Sequence, residues 1–179
     1  MLDMTELERL AKEVGFTHIG YLKRSTIELM PEVRQMCSSN SCGAYRKKWC
    51  CPPACGTLEE CGQRLQKYDH GILVQTMGVL EDSFDYETMM DTEAAHKEHF
   101  DALEEILRRQ YPDMLAIGAG ACTRCPVCTY PDSPCRFPER AFASMEAYGM
   151  LVTQVCKAND RTYYYGPNPI AYTSCYLLE

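Results

Sequence analysis

The 179-residue chain predicts an α+β fold: a single mixed sheet of four to five strands packed on helices, closing on a C-terminal β-hairpin. Three observations predict it. Segments with apolar residues at helical spacing alternate with short β-branched runs. Start and stop signals bracket most of the helical segments. Two cysteine-rich stretches interrupt this order without any period, and read as irregular metal-binding loops. At ~150 residues per domain, the length makes residues 1–179 one domain.

The elements follow in order. Thr5 to Glu8 reads as a capping box, and Leu7, Leu10, Ala11 and Val14 continue at helical spacing to a stop at Gly15. Phe16 to Leu22 reads as a short strand. Residues 31 to 56 show no period and hold Cys37, Cys42, Cys50, Cys51 and Cys55. Thr57 to Glu60 is a second capping box, opening a helix with Leu58, Cys61, Leu65 and Tyr68 on one face. Gly71 to Val79 is a strand, rich in β-branched residues. Asp85 caps a long helix to about Arg109, with acids at its start and Arg108-Arg109 at its end, as the helix dipole favours. Met114 to Gly120 is another strand. Residues 121 to 140 form the second irregular segment. Ser144 to about Ala158 is helical with a break at Gly149. Thr162 to Tyr165 and Ile170 to Leu178 flank the turn Gly-Pro-Asn-Pro, which predicts the hairpin. Alternation puts Tyr172 and Tyr176 on one face of the last strand and Cys175 on the other. That aromatic face suits a core or a homodimer surface.

Twelve cysteines are more than packing needs. Disulfide scaffolds concentrate cysteine in much shorter secreted chains. The amphipathic, charged start has no apolar signal-peptide core, and no apolar run approaches the ~20 residues of a membrane span. A reducing cytoplasm is the expected setting, with thiols kept for chemistry or metal. Eighteen basic against 25 acidic residues leave a net charge of −7, which argues against a nucleic-acid partner. The basic residues Arg34, Arg46, Lys47 and Lys48 nevertheless stand among the first cysteines. Arg124, Arg136 and Arg140 stand among the second.

The sharpest motif is Cys122-x2-Cys125-x2-Cys128-x6-Cys135-Arg-Phe-Pro. Three cysteines at two-residue gaps can wrap one corner of a cubane, each on a different iron, while a remote cysteine takes the fourth. A [4Fe-4S] cluster fits best. Zinc is the alternative, although structural zinc prefers paired C-x2-C knuckles in two separated halves. A redox pair at Cys125-Pro-Val-Cys128 would need a helix behind it, which Pro131 and Pro134 prevent. Amides near Gly118 and Gly120 could donate to cluster sulfurs, and Arg124 and Arg136 could supply tuning cations.

The first segment, Cys37-x4-Cys42-x7-Cys50-Cys51-Pro-Pro-Ala-Cys55, is looser. It reads as a second metal site on Cys37, Cys42, Cys51 and Cys55. Adjacent Cys50 and Cys51 point differently, so one of them is spare. Trp49 either shields a cluster from water or anchors the loop. If three thiols bind, one iron stays open for substrate, by the logic that separates catalytic from structural zinc. Cys61, Cys156 and Cys175 fall on apolar faces and read as packing. Glu93-x-x-His96 is half of a di-iron motif that needs two such pairs. His96 therefore reads as a satisfied buried histidine and His99 as exposed.

W-C-C-P-P from Trp49, C-T-R-C-P-V-C-T-Y-P-D-S-P-C-R-F-P-E from Cys122 and S-M-E-A-Y-G-M from Ser144 resemble the cysteine-rich family described as predicted metal-binding proteins, over nearly the whole chain. The resemblance implies metal at Cys37, Cys42, Cys51, Cys122, Cys125, Cys128 and Cys135. It also implies a setting in anaerobic bacteria and archaea. Cys50, Cys55 and Cys61 fall outside its pattern. Three functions follow. The first is an iron–sulfur protein in electron transfer or as a redox accessory, with a redox partner protein. The second is an enzyme whose open three-cysteine cluster binds a small-molecule substrate. The third is a zinc-stabilised interaction module or metal carrier.

Overall fold

The computed structural model describes residues 2–179. Helix α1 (Met4–Val14) leads into strand β1 (His18–Lys23), and α2 (Pro31–Met36) opens the first cysteine segment. Then come α3 (Leu58–Leu65), β2 (His70–Val79), α4 (Tyr86–Gln110) and β3 (Leu115–Ile117). After the second cysteine segment, α5 (Val152–Ala158) precedes β4 (Pro169–Leu178).

The four strands make one sheet in the order β1-β2-β4-β3. The α+β class and the single sheet on helices stand as expected. Every neighbouring pair is antiparallel, where a mixed sheet was expected. The reason is the placement of β4. It inserts between β2 and β3, so those two strands run in the same direction without pairing.

The expected C-terminal hairpin is absent. Residues 162–165 form no strand. β4 pairs instead with β2 along its whole length, from His70↔Leu178 to Val79↔Pro169, and with β3 on its other edge. Gln75 holds the stretch that was expected to pair. Its amide donates to the Thr162 carbonyl at 2.9 Å, and the Tyr165 hydroxyl donates to its Oε1 at 2.7 Å. Both central strands carry unbroken buried runs, Gly71 to Thr76 and Thr173 to Leu178. Strands buried on both faces belong inside a sheet, not in a terminal hairpin.

Helices cover both faces. On one, Leu7, Leu10 and Ala11 of α1 and Phe100, Leu103 and Leu107 of α4 pack on Ile72, Val74 and Tyr176. On the other, Cys61 and Leu65 of α3 and Val155 and Cys156 of α5 pack on Leu73, Cys175 and Leu177. Tyr176 and Cys175 thus take opposite faces, as alternation requires, and Cys61, Cys156 and Cys175 are core residues. Tyr176 stacks on Phe100 with ring centres 5.0 Å apart, and its hydroxyl donates to the Phe100 carbonyl at 2.8 Å.

The helix ends show which local signals win. Thr57 and Glu60 form both bonds of the expected capping box, at 3.1 and 2.6 Å. Asp85 caps α4 by accepting the Thr88 amide at 3.1 Å. The Thr5–Glu8 box does not form. Asp3 accepts the Glu6 amide at 3.1 Å and starts α1 earlier, which leaves Thr5 inside the first turn. Gly15 ends α1 at φ +113°. His99 lies over that glycine, half-buried rather than exposed. Gly149, at φ +81°, breaks the last helical stretch into a short 3-10 turn (Glu146–Tyr148) and α5.

His96 is 1% exposed. Its Nδ1 lies 3.0 Å from the Thr76 hydroxyl and its Nε2 2.7 Å from the Ser174 hydroxyl. Both ring nitrogens are satisfied without a metal. Burial, helped by nearby His99 and Lys97, pulls its pKa down to about 3 from 6.5. Between those values the unfolded chain binds a proton here that the folded chain refuses. Stability is therefore full above pH 6.5 and falls as the pH drops toward 3. Denaturant titrations at pH 7.5 and 5.5 should show the wild type losing about 1.4 kcal/mol more than His96→Gln. Equal losses would count against a neutral buried His96.

Candidate metal centre

The first cysteine segment hangs from α2, which Pro31 starts at its first turn. That helix occupies residues expected to be irregular. Past it, order comes from single turns. The Arg46 amide reaches the Pro52 carbonyl at 3.0 Å, and the Cys51 and Cys55 amides reach back to Lys48 and Cys51 at 3.1 Å each. Ala44, Cys51, Pro52 and Cys55 are its buried residues.

The second segment leaves the sheet after β3 and returns beside it. Gly118 is the clamp. Its amide donates to Ala143 at 2.9 Å, and its carbonyl accepts from Met145 at 3.1 Å. A Cβ there would drive into the Phe142 ring, so the close approach needs glycine. Between these ends, residues 121–140 contain no buried residue and no regular element. Polar tethers hold them. Arg136 donates to the Val127 carbonyl at 2.7 Å, bracing the Cys125–Cys128 turn, and Thr129 donates to the Pro134 carbonyl at 2.8 Å.

The two segments dock on one another through Lys48, Trp49 and Cys50. Lys48 donates to the Cys122 carbonyl at 2.6 Å. The Trp49 indole donates to the Ser133 carbonyl at 3.0 Å and meets Tyr130 edge-on at 4.9 Å. Trp49 is thus an anchor, and what it anchors to is the other cysteine loop. The Cys50 thiol lies against the Cys122 thiol, with Cys135 also near it.

Cys50 and Cys51 therefore face two different groups. Cys51 looks toward Cys42, Cys55 and Cys37. Cys37, Cys42 and Cys51 line one cavity of about 520 Å³, together with Glu146, Ser144 and Tyr163. Cys50, Cys55 and Cys135 line another of about 710 Å³, beside Trp49, Arg64 and Tyr148. Cys55 stands between the groups, close to Cys51 yet open to the second cavity. Two cations flank it. Arg64 donates to its carbonyl at 2.8 Å, and Arg34 donates to the Gly56 carbonyl. Cys122, Cys125 and Cys128 are half-buried and line neither cavity.

The electrostatics separate the thiols. Burial, with Cys42 and Cys55 nearby, pushes Cys51 up to about 11. Burial also raises Cys37 and Cys55. Cys122 moves the other way. The Cys50 hydrogen bond lowers its pKa first, against burial, and the Arg124 and Phe142 amides and the Arg124 charge help. The expected amide donors to sulfur are present, but they come from Arg124 and Phe142 and not from the Gly118–Gly120 turn. Arg124 is less free as a tuning cation than expected. Its guanidinium pairs with Asp101 and buried Glu104 of α4, and it sits 5.3 Å over the Phe142 ring.

All twelve cysteines are free thiols. Among the described residues no three His, Cys, Asp or Glu side chains converge closely enough to hold a single ion. Cys50's place in the second group is what sequence reasoning left open. The adjacency of the two cysteines was the signal, but the turns through Lys48–Cys51 and Cys51–Cys55 decide which way each thiol goes. Glu146 was not singled out, and nothing in its spacing marks it. No helix among the described residues is long and apolar enough to cross a membrane.

No curated protein and no solved structure matches the chain. A family model does match, over residues 20–178, and so spans both cysteine segments and all four strands apart from the first two residues of β1. The chain belongs to the family described as predicted metal-binding protein (DUF2284).

Proposed function

We propose that the chain is an iron–sulfur protein with two thiolate centres, working in electron transfer or as a redox accessory. The observation that carries this reading is Cys122-x2-Cys125-x2-Cys128-x6-Cys135 on a loop without a single buried residue. Such a loop needs a cross-link from outside the apolar core, and thiolate–iron bonds supply one. Cys122, Cys125, Cys128 and Cys135 would hold a [4Fe-4S] cluster. Cys37, Cys42 and Cys51, with Cys55 beside them, would hold the other. A bound cluster would supply one-electron transfer. Free thiols in this number suit a reducing cytoplasm, and a redox protein is the natural partner.

A second reading has its own observation. The cavity of about 520 Å³ beside Cys37, Cys42 and Cys51 has the size of a small-molecule site. Three thiols would leave one iron open toward it, and the chain would then be an enzyme on a small substrate. Metal and acid-labile sulfide analysis of anaerobically purified protein tests the shared premise. Iron and sulfide in equal amounts, with a visible absorption bleached by dithionite, are expected. Stoichiometric zinc without sulfide would replace both readings with a zinc-stabilised interaction module or metal carrier.

A further inference from the structure

We propose that Cys50 is a ligand of the second centre, and that the Cys50–Cys51 dipeptide joins the two centres covalently. The inference rests on the iron–sulfur reading above and revises its ligand set, with Cys50 in place of one of the four motif thiols.

Three observations carry it. Cys50 lies against Cys122 and near Cys135, across 72 residues of sequence from the former. Cys50 and Cys135 line the same cavity. The backbone before Cys50 is pinned to the second loop at two points, by Lys48 on the Cys122 carbonyl and Trp49 on the Ser133 carbonyl. The thiol is thus delivered to the second loop by its own neighbours and does not merely drift near it. Cys51, the next residue, faces the other cavity with Cys37 and Cys42.

The chemistry then leaves little room for a bystander. A thiol in contact with one ligand sulfur and near a second stands where metal–thiolate charge collects. Soft thiolates bind iron–sulfur clusters directly. Five thiols for four irons means one member of the loop motif is released. Cys122 lies beside Cys50, and Cys135 shares its cavity, so the released thiol is Cys125 or Cys128. The two centres would then be separated by one peptide bond between ligand residues, with Cα atoms ~3.8 Å apart. That is a short through-bond path for an electron.

The test is anaerobic cluster reconstitution of the full chain, read by iron and sulfide content and by EPR of the reduced protein. The variants are Cys50→Ala, Cys50→Ser, Cys51→Ser, Cys125→Ser, Cys128→Ser and, as a buried control, Cys156→Ser. Cys50→Ala should lose about half the iron, keep the signal of the first centre, and recover the missing iron when a small thiol is added during reconstitution. Cys50→Ser should keep its iron with a shifted signal and midpoint potential. Cys51→Ser should lose the other half. One of Cys125→Ser and Cys128→Ser should keep full iron, as Cys156→Ser does. Wild-type clusters with Cys50→Ala unchanged would overturn the proposal and leave the iron–sulfur reading standing. So would a loss of iron that added thiol does not restore, since that marks a packing role. Wild-type protein without iron and sulfide would overturn the reading and the proposal together.

Discussion

Stripping the metal from anaerobically purified protein should release both cysteine segments while the sheet stays folded. Hydrogen exchange read by mass spectrometry before and after chelation should show protection lost over residues 37–56 and 121–140. It should stay high in β2, β4 and α4. The expectation follows from where the order comes from. Each fixed residue costs about 1–2 kcal/mol of backbone entropy, and a hydrogen bond returns only about 1 kcal/mol. Across residues 121–140 burial is limited to half-buried Cys122 against the core and the Arg124 side chain, so apolar burial repays little there. What remains is a handful of tethers, among them Trp49 to Ser133, Arg136 to Val127 and Thr129 to Pro134. The central strands are the opposite case. Ile72, Leu73 and Val74 of β2 and Cys175 through Leu178 of β4 are wholly or almost wholly buried. Local opening free energies follow this division. Unchanged protection in both cysteine segments after complete metal removal would show that protein contacts alone hold them.

The same division explains how much was legible in the sequence. α4 could be read almost residue by residue, because Asp85, the apolar stripe and Arg108-Arg109 all act within the helix. The Thr57–Glu60 box and the stops at Gly15 and Gly149 are local in the same sense. β4 could be found, but its partner could not be inferred from the turn signal. Pairing is nonlocal, and Gly-Pro-Asn-Pro marks a bend without choosing a neighbour. The better signal was the unbroken apolar run Cys175 to Leu178, which belongs in the middle of a sheet. The Thr5 box failed because Asp3, two residues earlier, offers a stronger acceptor to the same turn. His99 escaped because only the folded chain brings Gly15 beneath it.

At the cysteine loops the motif spacing marked the segments, but not how their thiols group. Cys37, Cys42 and Cys51 line one cavity. Cys55 opens to the other, and Cys50 crosses to the second loop. Both depend on how the loops dock, which Lys48 and Trp49 decide through backbone carbonyls that no side-chain pattern reveals. Each oxidised cubane with four thiolates would add about −2 to the formal −7. Arg34 and Arg64, both turned toward Cys55, are the cations placed to offset it.

Replacing Arg124 with methionine should destabilise the protein about as much as a large core truncation. Arg124 stands between two cysteines of the motif, one residue short of Cys125, yet its side chain is only 9% exposed. It pairs with Asp101 and Glu104, donates to the Arg140 carbonyl at 2.7 Å and covers the Phe142 ring. Glu104 is 1% exposed and also pairs with Arg108 at 2.6 Å. Removing one member of a buried pair leaves an uncompensated charge and costs about 3–5 kcal/mol. Arg108 remains beside Glu104, so the lower end applies. For a chain of this length each kcal/mol lowers Tm by about 2–4 °C. A drop of roughly 6–12 °C is therefore expected by thermal unfolding. Glu104→Gln should cost less, because the amide keeps its shape and can still accept a hydrogen bond from Arg124. The two variants also separate stability from the site. Arg124 ties the loop that carries Cys122 and Cys125 to α4, so its loss should lower cluster occupancy along with Tm. A Phe100→Ala core variant, with a comparable cost of about 3–5 kcal/mol, should lower Tm and spare occupancy at low temperature. Equal occupancy in Arg124→Met and Phe100→Ala would mean that this arginine stabilises the fold without positioning the thiols.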